Sequence, residues 1–362
     1  MNYPKVRLGE VCELIYGDGL KEQSRHGGNV PVYGSNGIVG YHSKALTTGE
    51  TIIIGRKGSI GEVHISRVPC WPIDTTYYIE NTKIPCDFTW LYYILIALDL
   101  TRFNKSAAVP GLNRDDAYEQ FIPLPPLDEQ RRIAALLQRA DRLRRLRRFS
   151  RQLSDTFLQS VFLQMFGDPV TNPMGWEMKE FNAFADTITY GTGSPPPYQL
   201  DGIPFVRATN IKQGTVLRDG MVYISEDDAK RISRCRIKAG NLIVVRSGIN
   251  SGDCGLIPDI YDGAYAAYDL IVEIKFPYNY YCNFLINSPF GKTQLSALTR
   301  RAGQPHLNAE QLRSLNIPNL PMELIIKFTE RIKETEKLQR HQAESSRQSE
   351  QLFQTLLARA FS

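Results

Sequence analysis

"GLNRDDAYEQFIPLPPLDEQ", Gly111 to Gln130, has an echo in the same chain: Pro305 to Pro321 reads "PHLNAEQLRSLNIPNLP". Pro110, Leu112, Asn113, Ile122, Pro123 and Pro126 recur 195 positions later as Pro305, Leu307, Asn308, Ile317, Pro318 and Pro321. Each copy leads into about forty residues free of proline and glycine. The offset holds through them without a gap: Leu143 matches Leu338, Ser154 matches Ser349, Gln159 matches Gln354 and Phe166 matches Phe361. Pro125 and Pro126 stop any earlier helix, while Asp128 and Glu129 suit the positive end of a new one. Gly167 and Pro169 end it. Two helices of equal length follow, each about 60 Å at 1.5 Å per residue.

In the first helix Ile133, Leu136, Ala140, Leu143, Leu146, Phe149, Leu153 and Phe157 fall mostly three or four apart, which predicts one apolar stripe. Neither helix can bury such a stripe alone, so the two are expected to pair antiparallel. Packing of each helix on its own globular part is the alternative. Arg340 to Gln351 offers only Ala343 as an apolar residue. That segment is either solvated or a polar docking face. Between Asp128 and Arg151 stand nine arginines against three acids, which is a solvated face or a contact for phosphates or an acidic partner.

The globular stretches before each helix are rich in glycine, tyrosine and short β-branched runs such as "TIIIG" and "NLIVVR", broken by turns. They predict mostly β-structure with a few helices. "WLYYILIALDLTRF" and "NYYCNFLINSPFGKTQLSAL" are the expected helices near their ends. The fold class is therefore α+β: two mixed, mostly β domains separated by two long antiparallel helices forming a coiled coil, with a pseudo-two-fold internal repeat. The expected boundaries are 1–125, 126–167, 168–320 and 321–362.

With 362 residues, 42% apolar and 22% charged, the chain can bury two ordinary cores. A net charge of +5 fits a nucleic-acid partner without requiring one. The run "WLYYILIAL" is too short to span a bilayer, and the N-terminus has no signal-peptide core. Six cysteines and five histidines are scattered without metal-ligand or disulfide spacing, so no metal and no cofactor are expected. The reading is a reduced, cytoplasmic protein.

Taken in order and in duplicate, "PVYGSNGIVGY", "IIIGRKGSIGEV" and "LNRDDAYEQFIPLPPLDEQRRIAALL", then "GTGSPPPYQLDGIPFVRATNIKQGTV", "NLIVVRSGINSG" and "GQPHLNAEQLRSLNIPNLP", resemble the specificity (S) subunits of type I restriction–modification systems. The resemblance covers essentially the whole chain. It implies two target recognition domains, each reading one half of a split, asymmetric site in double-stranded DNA. It also implies two methyltransferase (modification) subunits on the helices, motor–nuclease (restriction) subunits in the larger complex, and no membrane and no catalysis of its own. "MELII" replaces the Leu-Asp-Glu-Gln entrance in the second copy, which puts typical docking there in doubt.

Base readout needs hydrogen-bonding side chains on glycine-flanked loops held by a rigid frame. In the first domain the candidates are Ser35, Asn36, Tyr41, His42, Arg56, Lys57 and Ser59. In the second they are Arg207, Thr209, Asn210, Lys212, Arg246, Ser247, Asn250 and Ser251. Lys105, Arg300 and Arg301 look like phosphate contacts. Such turns are also ordinary hairpin chemistry.

Rival readings are a stand-alone DNA-binding protein, a helical adaptor and a Mg-dependent nuclease. The nuclease rests on Pro258-Asp259 with Glu273-Ile274-Lys275, a loose pattern in which two carboxylates would hold the metal. "SPPPY" (Ser194 to Tyr198) is like an adenine-methyltransferase motif, but Ser194 lacks the amide that motif needs. No phosphate-binding Gly-rich loop with Lys-Ser/Thr is present.

Overall fold

The computed structural model describes residues 3–105, 111–212, 214–248, 250–299 and 306–361. It divides into two compact units. Unit 1 comprises Met1–Ser150 with Gln342–Ser362, and unit 2 comprises Arg151–His341.

In unit 1 the strands Ile15–Tyr16, Thr76–Ile79, Thr51–Gly55 and Val63–Ser66 form one antiparallel sheet in that order. A second sheet places Val30–Gly34 between Gly37–His42, antiparallel, and Trp71–Pro72, parallel. Unit 2 repeats this scheme. Ala185–Tyr190, Leu270–Ile274, Leu242–Val244 and Cys254–Leu256 make its four-stranded sheet. Ile203–Val206 lies between Val222–Ile224, antiparallel, and Tyr265–Ala266, parallel.

The repeated stretch closes each unit. Asn113 and Asn308 are N-caps whose side chains accept from the Asp115 and Gln311 backbone N–H groups at 3.0 and 2.8 Å. They start the short helices Arg114–Tyr118 and Ala309–Arg313. The preceding Leu112 and Leu307 are buried in the two cores. Ile122 then pairs with Val6, and Ile317 with Lys179, in matching two-stranded ribbons. Each ribbon ties the start of a unit to its end, and proline then opens the long helix.

The long helices run Leu127–Phe166 and Met322–Phe361. Each unit takes a segment of both into its core. In unit 1, Ile133, Leu137, Ala140, Phe353 and Leu357 join Trp90 and Tyr93. There Arg144 donates to Glu350 at 3.0 Å and Gln342 donates to Ser150 at 3.0 Å, so the two segments run in opposite directions. The polar stretch from Arg340 to Gln351 is thus partly matched by polar partners on the first helix. Asp141, buried, binds Arg144 and Arg145 at 2.6 and 2.8 Å, and the Arg144 guanidinium lies 3.8 Å from the Phe353 ring centroid. In unit 2 the seam is aromatic: Phe162 meets Phe166, Phe284 and Phe328 at 5.0, 5.2 and 5.6 Å between ring centroids.

Two expectations need correction. Only Ile133 and Ala140 of the anticipated stripe are buried; Leu136, Leu143, Leu146, Phe149, Leu153 and Phe157 are 41–58% exposed. Steps of three fall short of a full turn by about 60°, so Leu143, Leu146 and Phe149 drift off the face that Ile133 and Leu137 bury. The single helix expected in "NYYCNFLINSPFGKTQLSAL" is two, Asn279–Asn287 and Pro289–Thr299. Pro289 forces Ser288 into an extended conformation and then opens the next helix. Among the described residues no helix is long and apolar enough to cross a membrane.

Candidate nucleic-acid interface

In unit 1, Ser35 and Asn36 are the two-residue turn between Val30–Gly34 and Gly37–His42. The positive φ of this hairpin falls on the residue after the turn, Gly37, at 109°, a value that favours glycine. Asn36 and Tyr41 are exposed; His42 is half-buried with its ring edge-on to Trp71 at 5.6 Å. Arg56, Lys57 and Ser59 form the loop between Thr51–Gly55 and Val63–Ser66. The turn and the loop meet, because the Ser35 side chain lies against Gly55 and Gly58, and His64 Nε2 sits 3.3 Å from the Ser35 carbonyl.

Arg56 is the most constrained of this set. Its Nε and Nη2 donate to the Asp74 carbonyl at 3.2 and 2.5 Å. Its guanidinium carbon lies 5.3 and 6.0 Å from the Tyr16 and Tyr77 ring centroids. The Arg56 carbonyl accepts from the Leu112 N–H at 2.9 Å, linking the loop to the repeated motif.

Arg246 occupies the equivalent position in unit 2. Its carbonyl accepts from the Leu307 N–H at 2.7 Å. Its guanidinium lies 4.4 and 4.3 Å from the Tyr190 and Tyr268 centroids and donates to the Tyr268 carbonyl at 3.5 Å. Nη2 is 3.1 Å from His306 Nε2; arginine only donates, so this histidine nitrogen accepts. The Arg246 N–H donates to buried Asp269 at 3.2 Å. Burial pushes the Asp269 carboxyl up to about 6, against the pull of the Arg246 N–H and charge. Ser251 Oγ donates to the Arg246 carbonyl at 2.9 Å. Ser247 and Asn250 are exposed on the same loop.

Arg207 Nη2 donates to the Gly220 carbonyl at 2.6 Å, and its guanidinium lies 5.3 Å from the Tyr198 centroid. Thr209 and Lys212 are exposed. Asn210, anticipated as a base reader, is fully buried. Its Oδ1 accepts from the Arg207 N–H at 3.1 Å, and its Nδ2 donates to the Asp219 and Leu217 carbonyls at 3.1 and 3.5 Å. This amide braces the loop from inside instead of facing a ligand. Lys105 ends the 3-10 turn Leu100–Lys105; its side chain, Arg300 and Arg301 lie outside what is described.

Sequence reasoning missed the tyrosines under these arginines. Both precede a glycine, in "YGDG" from Tyr16 and "YGTG" from Tyr190. A Cβ at Gly17 would meet the Ile73 carbonyl oxygen at 2.2 Å, and one at Gly191 would meet the Ala267 carbonyl oxygen at 1.6 Å. Only glycine allows that approach, which brings each tyrosine beside its arginine. The recurring Tyr-Gly-x-Gly was the available signal. Arg114, at 5.5 Å from Tyr16, carried none.

The residues of the nuclease pattern are engaged elsewhere: Glu273 pairs with Lys238 at 3.0 Å and accepts from Thr187 at 3.2 Å, and Lys275 Nζ donates to the Ala183 carbonyl at 2.9 Å. Among the described residues no three His, Cys, Asp or Glu side chains gather as a metal site would require.

Residues 2–150, the stretch that builds the Arg56 loop and the first proline-flanked ribbon, match the family model described as the type I restriction modification DNA specificity domain. Over those residues, about two fifths of the chain, the sequence is similar to that family. The EcoprrI specificity subunit of a type I restriction enzyme from Escherichia coli is 27% identical over 142 residues, covering 38% of this chain and 35% of that protein. The MjaVIII specificity subunit from Methanocaldococcus jannaschii is 20% identical over 308 residues, covering 79% of this chain and 69% of the relative. The chain thus spans about a third of the first relative's length and about two thirds of the second's. Beyond the specificity domain, the whole fold is shared with the type I S subunit from M. genitalium: TM-score 0.66 at 14% identity, over 100% of this chain and 96% of that one. A chain solved in work on complex assembly and conformational transition of a type I R-M system matches with TM-score 0.53 at 17% identity, over 99% and 97%.

Proposed function

We propose that this chain is the DNA-reading subunit of a type I restriction–modification complex. The observation that carries this is the specificity-domain match over residues 2–150, supported by a fold shared along the whole chain with a type I S subunit. In this reading residues 1–125 and 168–320 are two target recognition domains, each meeting one half of a split site in double-stranded DNA. The long helices at 126–167 and 321–362 form an antiparallel coiled coil, and the repeat gives the scaffold a pseudo-two-fold character.

Two methyltransferase subunits dock on those helices, and motor–nuclease subunits join them. The exposed apolar side chains of the first helix support a docking role. Leu136, Leu143, Leu146 and Phe149 lie in unit 1, Leu153, Phe157 and Leu163 in unit 2, and all are at least 41% exposed. An apolar row left in water is a protein-binding surface more often than a solvated one. The chain reads and positions; methylation and cleavage belong to its partners. Differing loops on matching frames suit a site whose halves differ in sequence: Arg56-Lys57-Gly58-Ser59 stands in one unit and Arg246 to Ser251 in the other.

The test is long-read mapping of methylated adenine in the host genome with and without this gene. A split motif that is methylated only when the gene is present is the expected result. A methylome unchanged by deletion, in cells shown to express the protein, overturns the proposal.

A further inference from the structure

Two guanidinium groups in unit 1 share one tyrosine. Arg56 lies 5.3 Å and Arg114 5.5 Å from the Tyr16 ring centroid, so the two charges are no farther apart than the sum of those distances. Among the described residues neither arginine has a carboxylate in ion-pair range, and Arg114 Nε is buried without a hydrogen-bond partner. Tyr16 is 51% exposed, so the cluster is open to solvent. Like charges held close by a rigid frame, with donors unspent and a face open, form a site awaiting a negative group.

Which anion it takes follows from what each arginine has left to give. Arg56 has committed Nε and Nη2 to the Asp74 carbonyl, so one of its two N–H forks is taken and the guanidinium is held in place by the backbone. Arg114 is fixed by the N-terminal turn of Arg114–Tyr118, which is pinned in turn by the Asn113 cap, and by ring contacts to Tyr16 and Tyr118. Two such groups from different elements, both beside the Tyr16 ring, suit the oxygens of a phosphodiester. Half or more of protein–DNA hydrogen bonds go to the backbone, and these set register without reading sequence.

We infer that Arg56, Tyr16 and Arg114 form a seat for one DNA backbone phosphate, which fixes the register of unit 1 while the Ser35–Asn36 turn beside it faces the bases. The inference rests on the proposed DNA-reading function and adds to it a contact class and two residues, Tyr16 and Arg114. Among the described residues unit 2 shows no such pair. The position of Arg114 in the repeat is Ala309, and Arg246 is enclosed by Tyr190, Tyr268 and His306.

The experiment measures binding of the full chain to a random-sequence duplex pool, and to the duplex that the wild-type chain enriches from that pool, across a salt series. For Arg114→Ala the slope of log K against log salt is expected to shrink by about one. Affinity for the two DNAs should fall by the same factor, leaving their ratio unchanged. Arg114→Lys, which keeps the charge, should restore the slope. A slope unchanged in Arg114→Ala, or a loss confined to the enriched duplex, overturns the phosphate seat and leaves the DNA-reading function standing. Wild-type chain that binds neither duplex overturns both.

Discussion

Arg56 in unit 1 and Arg246 in unit 2 both lie just beyond an inner strand of their four-stranded sheet. Each offers its carbonyl to the repeated leucine, and each lies over the tyrosine of a Tyr-Gly-x-Gly stretch. Their surroundings differ. Arg56 is 5.3 and 6.0 Å from its two rings and has a second arginine nearby. Arg246 is 4.4 and 4.3 Å from its rings and is met by a histidine, and its own backbone N–H donates to a buried aspartate carboxylate. One frame therefore holds a half-buried arginine beside a second cation in one unit and between two rings and a histidine in the other. The backbone bond to Leu112 or Leu307 is what the repeat preserves, and the side chain's task is free to diverge.

The comparison is sharpest in what truncation should cost. Arg246→Ala removes two close cation–π contacts of about 1 kcal/mol each and side-chain hydrogen bonds of about 1 kcal/mol net. It should destabilise unit 2 by about 3 kcal/mol. Arg56→Ala gives up longer contacts at a more open site and should cost unit 1 about 1–2 kcal/mol. Urea unfolding of the two variants, with probes in each unit, reads the difference. Equal losses would mean that the two arginines do the same structural job.

How much of this was legible depends on the kind of signal. Proline and glycine act locally and strongly, so the limits of the helix Leu127–Phe166 could be read between Pro126 and Gly167. The repeated Leu-Asn also had a local cause, a buried leucine followed by an N-cap. The helix's inner face was misread because spacing of three or four leaves two faces possible over a long helix. Which one is buried depends on distant residues such as Trp90 and Phe353. The tyrosines beneath the arginines were hidden because Tyr16 and Arg56 are forty positions apart, and only sheet pairing brings them together.

Asn210 shows the same limit at one residue. Its type and its loop suggested a base reader, yet burial assigns its amide to the backbone of the loop at Arg207, Leu217 and Asp219. Asn210→Ala leaves a backbone donor and acceptor unpaired and should cost about 2 kcal/mol. Asn36→Ala and Asn250→Ala change exposed side chains and should stay within about 0.5 kcal/mol of wild type. Thermal unfolding of the three variants separates brace from surface. An Asn210→Ala protein as stable as the other two would return that residue to the set of candidate readers.

The last effect concerns the Arg246 site and depends on pH. The Asp269 carboxyl is raised to about 6 by burial, above the ordinary value near 3.9 that an unfolded chain has. The folded state therefore holds this proton more tightly than the unfolded state. The stability so gained is fully present below about pH 4 and is lost as pH rises through about 6. At neutral pH a largely dry carboxylate remains, which the Arg246 charge only partly offsets. Asp269→Asn keeps an oxygen for the Arg246 N–H and removes the charge, so it should stabilise unit 2 at pH 7.5 by up to about 3 kcal/mol. That advantage should shrink to nothing as the pH falls to 4. In Arg246→Ala the offsetting charge is gone, and the same Asp-to-Asn change should then gain more at pH 7.5, because burial acts unopposed. If the gain is the same with and without Arg246, the arginine and the aspartate are electrostatically independent. The Arg246 side chain would then be held by its tyrosines and its hydrogen bonds to Tyr268 and His306.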